Sequence, residues 1–125
     1  MHRKRPKHLH LTKIRQPLPA VISILHRISG VLLFFPGIPV LLCSLQQMLD
    51  SPQGYARVIS LLNGLPAKAG LVVVLWFFFH HLCAGIRHLL LDLHYGIELR
   101  QAQTGSQLVL AGGVILALLA GAVIW

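Results

Sequence analysis

Residues 71–95 read LVVVLWFFFHHLCAGIRHLLLDLHY. The first nine, Leu71 to Phe79, are unbroken hydrocarbon, preceded by Ala67, Lys68, Ala69 and Gly70. A run this long and this apolar predicts a membrane-spanning helix, since within a bilayer the backbone must satisfy its own hydrogen bonds. The second half carries His80, His81, Arg87, His88, Asp92 and His94. Ionisable groups inside a membrane are costly and by default mark function. The helix is expected over about 67–95, and its polar half is the most informative feature of the chain.

Two further apolar segments flank it, over about 21–49 and 108–125. In the first, Pro36 and Pro39 with Gly30 and Gly37 nearby predict a kink whose freed carbonyls neighbouring groups must satisfy. The connection over 50–67 holds Ser51-Pro52, Asn63-Gly64 and Pro66, which are turn signals. Its middle, Tyr55 to Leu62, suits a short interfacial helix. Residues 96–107 read as a polar loop. The last segment has Gly112, Gly113 and Gly121 and no charge, which permits close helix approach, and Trp125 stands where an interfacial aromatic anchor would. The expected fold is an all-α membrane protein with three transmembrane helices in one domain over 21–125. A basic arm over 1–20 precedes it, in which Pro6, Pro17 and Pro19 oppose a continuous helix.

Composition agrees. Of the 125 residues, 55% are hydrophobic and 11% charged, with mean hydropathy +0.71; ordinary soluble domains carry about 25% charged residues. The net charge of +8 is concentrated in the arm, at Arg3, Lys4, Arg5, Lys7, Lys13 and Arg15. Beside an apolar helix such a cluster is an orientation signal and a contact for anionic lipid headgroups. Nucleic acid is not an expected partner, because the remainder is nearly all lipid-facing. The positive-inside rule places the arm in the cytoplasm and, after three crossings, the C-terminus in the periplasm. The apolar segment after Val21 is too long for the core of a signal peptide and is read as retained. The arm is short and poor in Ser for a mitochondrial transit peptide, so a bacterial inner membrane is expected. Cys43 and Cys83 show no paired spacing and read as buried or lipid-facing.

In this orientation Ser23, His26, Arg27 and Ser29, early in the first helix, meet Arg87, His88, Asp92 and His94, late in the second, at one membrane face. Ser23 and Arg27 are spaced i, i+4 and share a helix face. A hydroxyl and a permanent guanidinium charge there suit a small carbonyl ligand; a snorkelling arginine and a serine bonded to its own helix are the plainer reading of the same pair. His81 and His88 lie two turns apart on nearly one face, about 10 Å along the axis, which is of the order of a haem macrocycle. His81 then suits an iron ligand and His88 or Arg87 a propionate partner. The plainer alternatives are an i, i+4 pair of His88 with Asp92 and a hydrogen bond from His81 to a neighbouring helix. Counted from the expected helix ends, His26 lies about 8 Å deep and His81 about 20 Å deep, so a second axial ligand is expected from a partner chain. His80 points about 100° away from His81, and a rotated helix would exchange their roles. No paired carboxylates, nucleophile elbow, phosphate loop or zinc spacing is present.

Two stretches resemble the signatures of a known family. Ser23-Ile24-Leu25-His26-Arg27-Ile28-Ser29-Gly30 is similar to SxxHRxSG, and His81 through Asp92 to HxxxGxRHxxxD, both from the cytochrome b anchor subunits of succinate dehydrogenase. Arg5-Pro6 with Leu9 and Leu11, the length, the three helices and the final Trp are similar as well. The resemblance implies an anchor for an iron–sulfur subunit and a flavoprotein subunit. It also implies a b-type haem shared with a second small membrane-anchor subunit, and part of a ubiquinone-reduction site. It places Ser23 and Arg27 in the quinone site, His81 on the axial position, His88 and Arg27 near the propionates, and His26 near both. Such a chain is not an enzyme alone but completes one. The alternative is the anchor of a fumarate reductase oxidising menaquinol, which His81 and the SxxHRxSG stretch disfavour. A purely structural anchor, a free-standing cytochrome and a small transporter are further readings. The last two are opposed by the missing second ligand and the missing inverted repeat.

Overall fold

The computed structural model describes residues 15–125, so most of the basic arm lies outside the described residues. Five α-helices follow: α1 (Leu18–Leu32), α2 (Ile38–Asp50), α3 (Pro52–Asn63), α4 (Leu65–Asp92) and α5 (Leu99–Ile124). No strand occurs among the described residues. Three stretches are long and apolar enough to cross a membrane: Leu18–Asp50, Leu65–Asp92 and Leu99–Ile124. The chain is thus an all-α, multi-pass membrane protein. The first stretch, at 33 residues, would be about 50 Å long, well beyond the ~30 Å hydrocarbon core.

α1 and α2 are joined by one π-helical stretch, Leu33–Gly37, with Pro36 inside it. Proline has no N–H to give and its ring crowds the preceding turn. The backbone widens there instead of breaking, and the Ile38 N–H reaches back five residues to the Leu33 carbonyl. The expected kink site is therefore an expanded turn that carries the helix on to Asp50.

The 50–67 connection is more ordered than a loop. Ser51 caps α3, its Oγ accepting the Gly54 N–H at 3.0 Å, and Pro52 occupies the first turn, where no N–H is missed. α3 folds back so tightly on α2 that a Cβ at Gly54 would overlap the Gln47 carbonyl. The second membrane helix runs from Leu65 to Asp92 and closes in a Schellman motif. The Tyr95 N–H bonds the Leu90 carbonyl and the His94 N–H the Leu91 carbonyl, both at 2.9 Å. His94 takes the left-handed conformation there (φ 64°), as does Gly96 (φ 77°), so His94 lies beyond the helix rather than within its last two turns. α5 starts at Leu99, nine residues before the apolar segment, because Gln, Ala and Arg are good helix formers whatever their hydropathy.

α4 and α5 are antiparallel and closely apposed. Gly113, Ala117 and Gly121, one turn apart, are buried along α5, and a Cβ at Gly113 would come within 3.1 Å of the His80 Cα. This is the small-residue contact by which membrane helices gain van der Waals packing. At one end Lys68 of α4 lies over the Trp125 ring, 5.7 Å from its centroid. α1 closes the bundle, with Ile22, Ala84 and Val109 forming its small core. Beyond the π turn, α2 stands off from α4, and α3 fills only part of the gap. An apolar cavity of about 630 Å³ remains, lined by residues including Leu33, Pro36, Val40, Leu45, Val74 and Phe77.

Candidate functional site

The seam between α1 and α4 gathers three imidazoles. His81 and His88 stand on one face of α4 with Gly85 between them. His26 of α1 inserts over that glycine, where a Cβ would lie 3.7 Å from its Nε2. The His26 and His81 rings are stacked, with centroids 4.2 Å apart and planes 21° from parallel. His26 and His88 are 5.0 Å apart and tilted by 39°. The three rings form a column with His26 in the middle.

This corrects the depth argument, which set His26 and His81 at different levels. α1 begins three residues earlier than expected and α4 ends three residues earlier. Together these shifts remove about 9 Å of the supposed ~12 Å offset at 1.5 Å per residue. The rings nevertheless face each other through their planes, with no room for a macrocycle between them, so they do not form a pair of axial ligands to one iron.

The hydrogen bonds of His81 fix its tautomer. Its Nδ1 lies 3.1 Å from the His26 carbonyl oxygen and 3.0 Å from Ser29 Oγ. The Ser29 hydroxyl itself donates to the His26 carbonyl at 2.8 Å. A carbonyl only accepts and the serine proton is committed, so Nδ1 carries the hydrogen. Nε2 then holds the free lone pair, and it bonds no described residue. A histidine held through Nδ1–H with Nε2 open is the arrangement of a metal-ligating imidazole. These residues fit a haem: His81 would offer Nε2 to the iron, with a second imidazole, His88, two turns along the same face of α4. No group of three His, Cys, Asp or Glu among the described residues is disposed to hold a bare metal ion.

His80 is placed quite differently. The residue is 1% exposed, and its ring lies near that of Trp76, one turn back on α4, with centroids 5.9 Å apart. Both its nitrogens are buried without a partner. A Cβ added at Gly113 would stand 3.1 Å from the His80 Cα, so α5 packs directly on this turn of α4.

The remaining sequence-derived residues separate. Ser23 is half-buried on α1. Arg27, one turn on, is exposed beside a shallow groove of about 250 Å³ that it lines with Ile28, Val31 and Leu32. Arg87 turns away from the imidazole column and is buried against α5. Its Nη2 donates to the Ala102 carbonyl at 3.3 Å, and Gly105 leaves space for its guanidinium stem. The structure thus groups His26, His81 and His88, sets Ser23 and Arg27 on the adjoining outer face of α1, and does not bring Arg87 to either. Sequence reasoning places Ser29 at the converging membrane face and names Gly30 only beside the kink, and it gives neither a part in holding His81. Their adjacency to His26 in SxxHRxSG was the available signal.

The chain is similar to known proteins along most of its length. The profile described as succinate dehydrogenase/fumarate reductase transmembrane subunit matches residues 1–120. A succinate dehydrogenase cytochrome b556 subunit from Paracoccus denitrificans is 37% identical over 115 residues, covering 92% of this chain and 88% of that protein. Its counterpart from Coxiella burnetii is 35% identical over 127 residues, spanning 100% of both chains. That from Rickettsia conorii is 32% identical over 119 residues, covering 95% of this chain and 92% of that protein.

Proposed function

Because this chain belongs to the family of succinate dehydrogenase/fumarate reductase transmembrane subunits, we propose that it is the anchor that binds b-type haem and builds part of the ubiquinone-reduction site of succinate dehydrogenase. The observation that carries this reading is His81, with its proton held on Nδ1 by the His26 carbonyl and Ser29 and its Nε2 open. That supports His81, rather than the enclosed His80, as an axial ligand. Another small membrane-anchor subunit would supply the second iron ligand, since His26 turns its ring face, not a nitrogen, toward His81. His88 and His26 would meet the haem propionates.

Haem b, when bound, supplies a one-electron redox centre. The chain's own part in quinone chemistry is recognition and charge. Ser23 offers a hydroxyl to a quinone carbonyl. Arg27, on the same face of α1 and exposed beside its groove, would stabilise the negative charge that develops on oxygen as electrons arrive. Protons come from the adjoining cytoplasmic surface, with the N-terminus on that side and the C-terminus in the periplasm of a bacterial inner membrane. Electrons come from an iron–sulfur subunit and, before it, a flavoprotein subunit.

The test is to purify the complex through a tag on this chain and to measure its haem content, dye-linked succinate oxidation and succinate-driven ubiquinone reduction. Haem together with both activities is expected. A purified complex without succinate dehydrogenase activity or without haem would overturn the assignment.

A further inference from the structure

We propose that Ser29, with Gly30, positions the haem-ligating histidine from the opposite helix; this rests on the reading of His81 as axial ligand. Ser29 is fully buried, which is costly for a hydroxyl without partners. It has two: it donates to the His26 carbonyl, three residues back, and accepts from His81 Nδ1. A buried serine bonding its own helix satisfies itself and needs nothing more. Here the same oxygen is also aimed across the helix seam at the one imidazole whose other nitrogen is open. The His26 carbonyl converges on that proton from 3.1 Å, so Nδ1–H sits in a two-acceptor cradle built wholly from α1.

Gly30 completes the cradle. A Cβ there would stand 3.0 Å from His81 Cε1, tight enough that the ring would have to shift by a few tenths of an ångström, with Nδ1 at 3.5 Å and Nε2 at 4.0 Å. The glycine is therefore the space the imidazole edge occupies. Ser29 fixes which nitrogen is protonated and Gly30 fixes how near the ring comes to α1; together they set the direction of the Nε2 lone pair. A hydrogen bond accepted from Nδ1–H also makes the imidazole more basic, which favours the ferric ligand complex over the ferrous one.

The experiment compares the intact, tagged complex of wild type, Ser29→Ala, Ser29→Thr and Gly30→Ala by haem-to-flavin ratio, haem midpoint potential and the low-temperature electron paramagnetic resonance of the ferric haem. Ser29→Ala should raise the potential and shift the resonance, by up to the equivalent of a tenfold change in the ferric-to-ferrous affinity ratio, ~59 mV for one electron. Ser29→Thr, which keeps the hydroxyl, should return both toward wild type. Gly30→Ala should shift the resonance by displacing the ring. Wild-type potential and resonance in Ser29→Ala, or a shift in Ser29→Thr as large as in Ser29→Ala, would overturn the proposal while haem in the wild-type complex leaves the family reading standing. Absence of haem from the wild type would instead remove the reading on which the proposal rests. If Ser29→Ala fails to assemble, Gly30→Ala decides: an unchanged resonance overturns the proposal and a changed one supports it.

Discussion

The His26 imidazole lies face to face with that of His81, centroids 4.2 Å apart, and this contact joins the proposed quinone face of α1 to the proposed haem face of α4. The His26→Ala variant keeps the backbone carbonyl that accepts from His81 Nδ1 but removes the ring filling the column between His81 and His88. Haem content should stay at the wild-type ratio, while succinate-driven quinone reduction falls roughly 10- to 100-fold, the range for loss of a supporting group around a metal centre. Unaltered quinone reduction would reduce the stack to simple packing.

Arg27 is exposed on α1 beside an apolar groove, so its substitution disturbs little of this chain's own core. Arg27→Ala should leave dye-linked succinate oxidation in place and lower quinone reduction about 10²-fold or more, the scale for deleting one donor at a developing oxyanion. Arg27→Lys should recover only part, because a point charge does not reproduce the guanidinium fork. Steady-state quinone kinetics beside a dye-linked assay decide it; parallel loss of both activities would point to failed assembly.

The histidine pair of α4 makes opposite predictions for adjacent residues. His80 buries two unpartnered nitrogens against α5, so His80→Leu exchanges an unsatisfied polar group for hydrocarbon and should stabilise the subunit by about 1–2 kcal/mol with haem retained. His81→Leu should abolish the b-type absorption spectrum or convert it to a high-spin form. Thermal unfolding in detergent and a pyridine haemochromogen assay report both. Loss of haem in His80→Leu with retention in His81→Leu would reverse the ligand assignment.

That division was only half legible in the sequence. The heptad spacing from His81 to His88 placed both on one face of α4, and the hydrocarbon of Leu71–Phe79 announced the membrane span. The meeting of His26 with His81 was not legible, because depth was counted from helix ends that hydropathy places poorly. Hydropathy reports the membrane core, whereas helices run past it: α5 extends through Gln101 and Gln103, which read as loop. α4 stops where a Schellman motif puts His94, not glycine, in the left-handed conformation. The cradle of Ser29 and Gly30 depends on a contact between residues 52 positions apart. No local pattern encodes such a contact.

The approach of α5 to α4 yields a prediction with an internal control. At Gly113 an added Cβ would meet the backbone of His80, 3.1 Å from its Cα and 3.3 Å from its N, and backbone cannot swing aside as a side-chain tip can. Gly113→Ala should therefore push the helices apart and destabilise the subunit by about 1–3 kcal/mol, the usual cost of overpacking. At Gly70, on the same α4 helix, nothing lies within 4 Å of the corresponding position. Gly70→Ala carries no steric cost and relieves the helix penalty of glycine, so it should be neutral or stabilising by up to ~1 kcal/mol. Denaturation of the detergent-solubilised complex, followed by loss of helical circular dichroism, compares the two. The small-residue seam is refuted as the determinant of α4–α5 packing if both variants unfold at the wild-type midpoint. A loss confined to Gly113→Ala assigns the cost to the seam itself, since both substitutions add the same methyl group to a helical glycine.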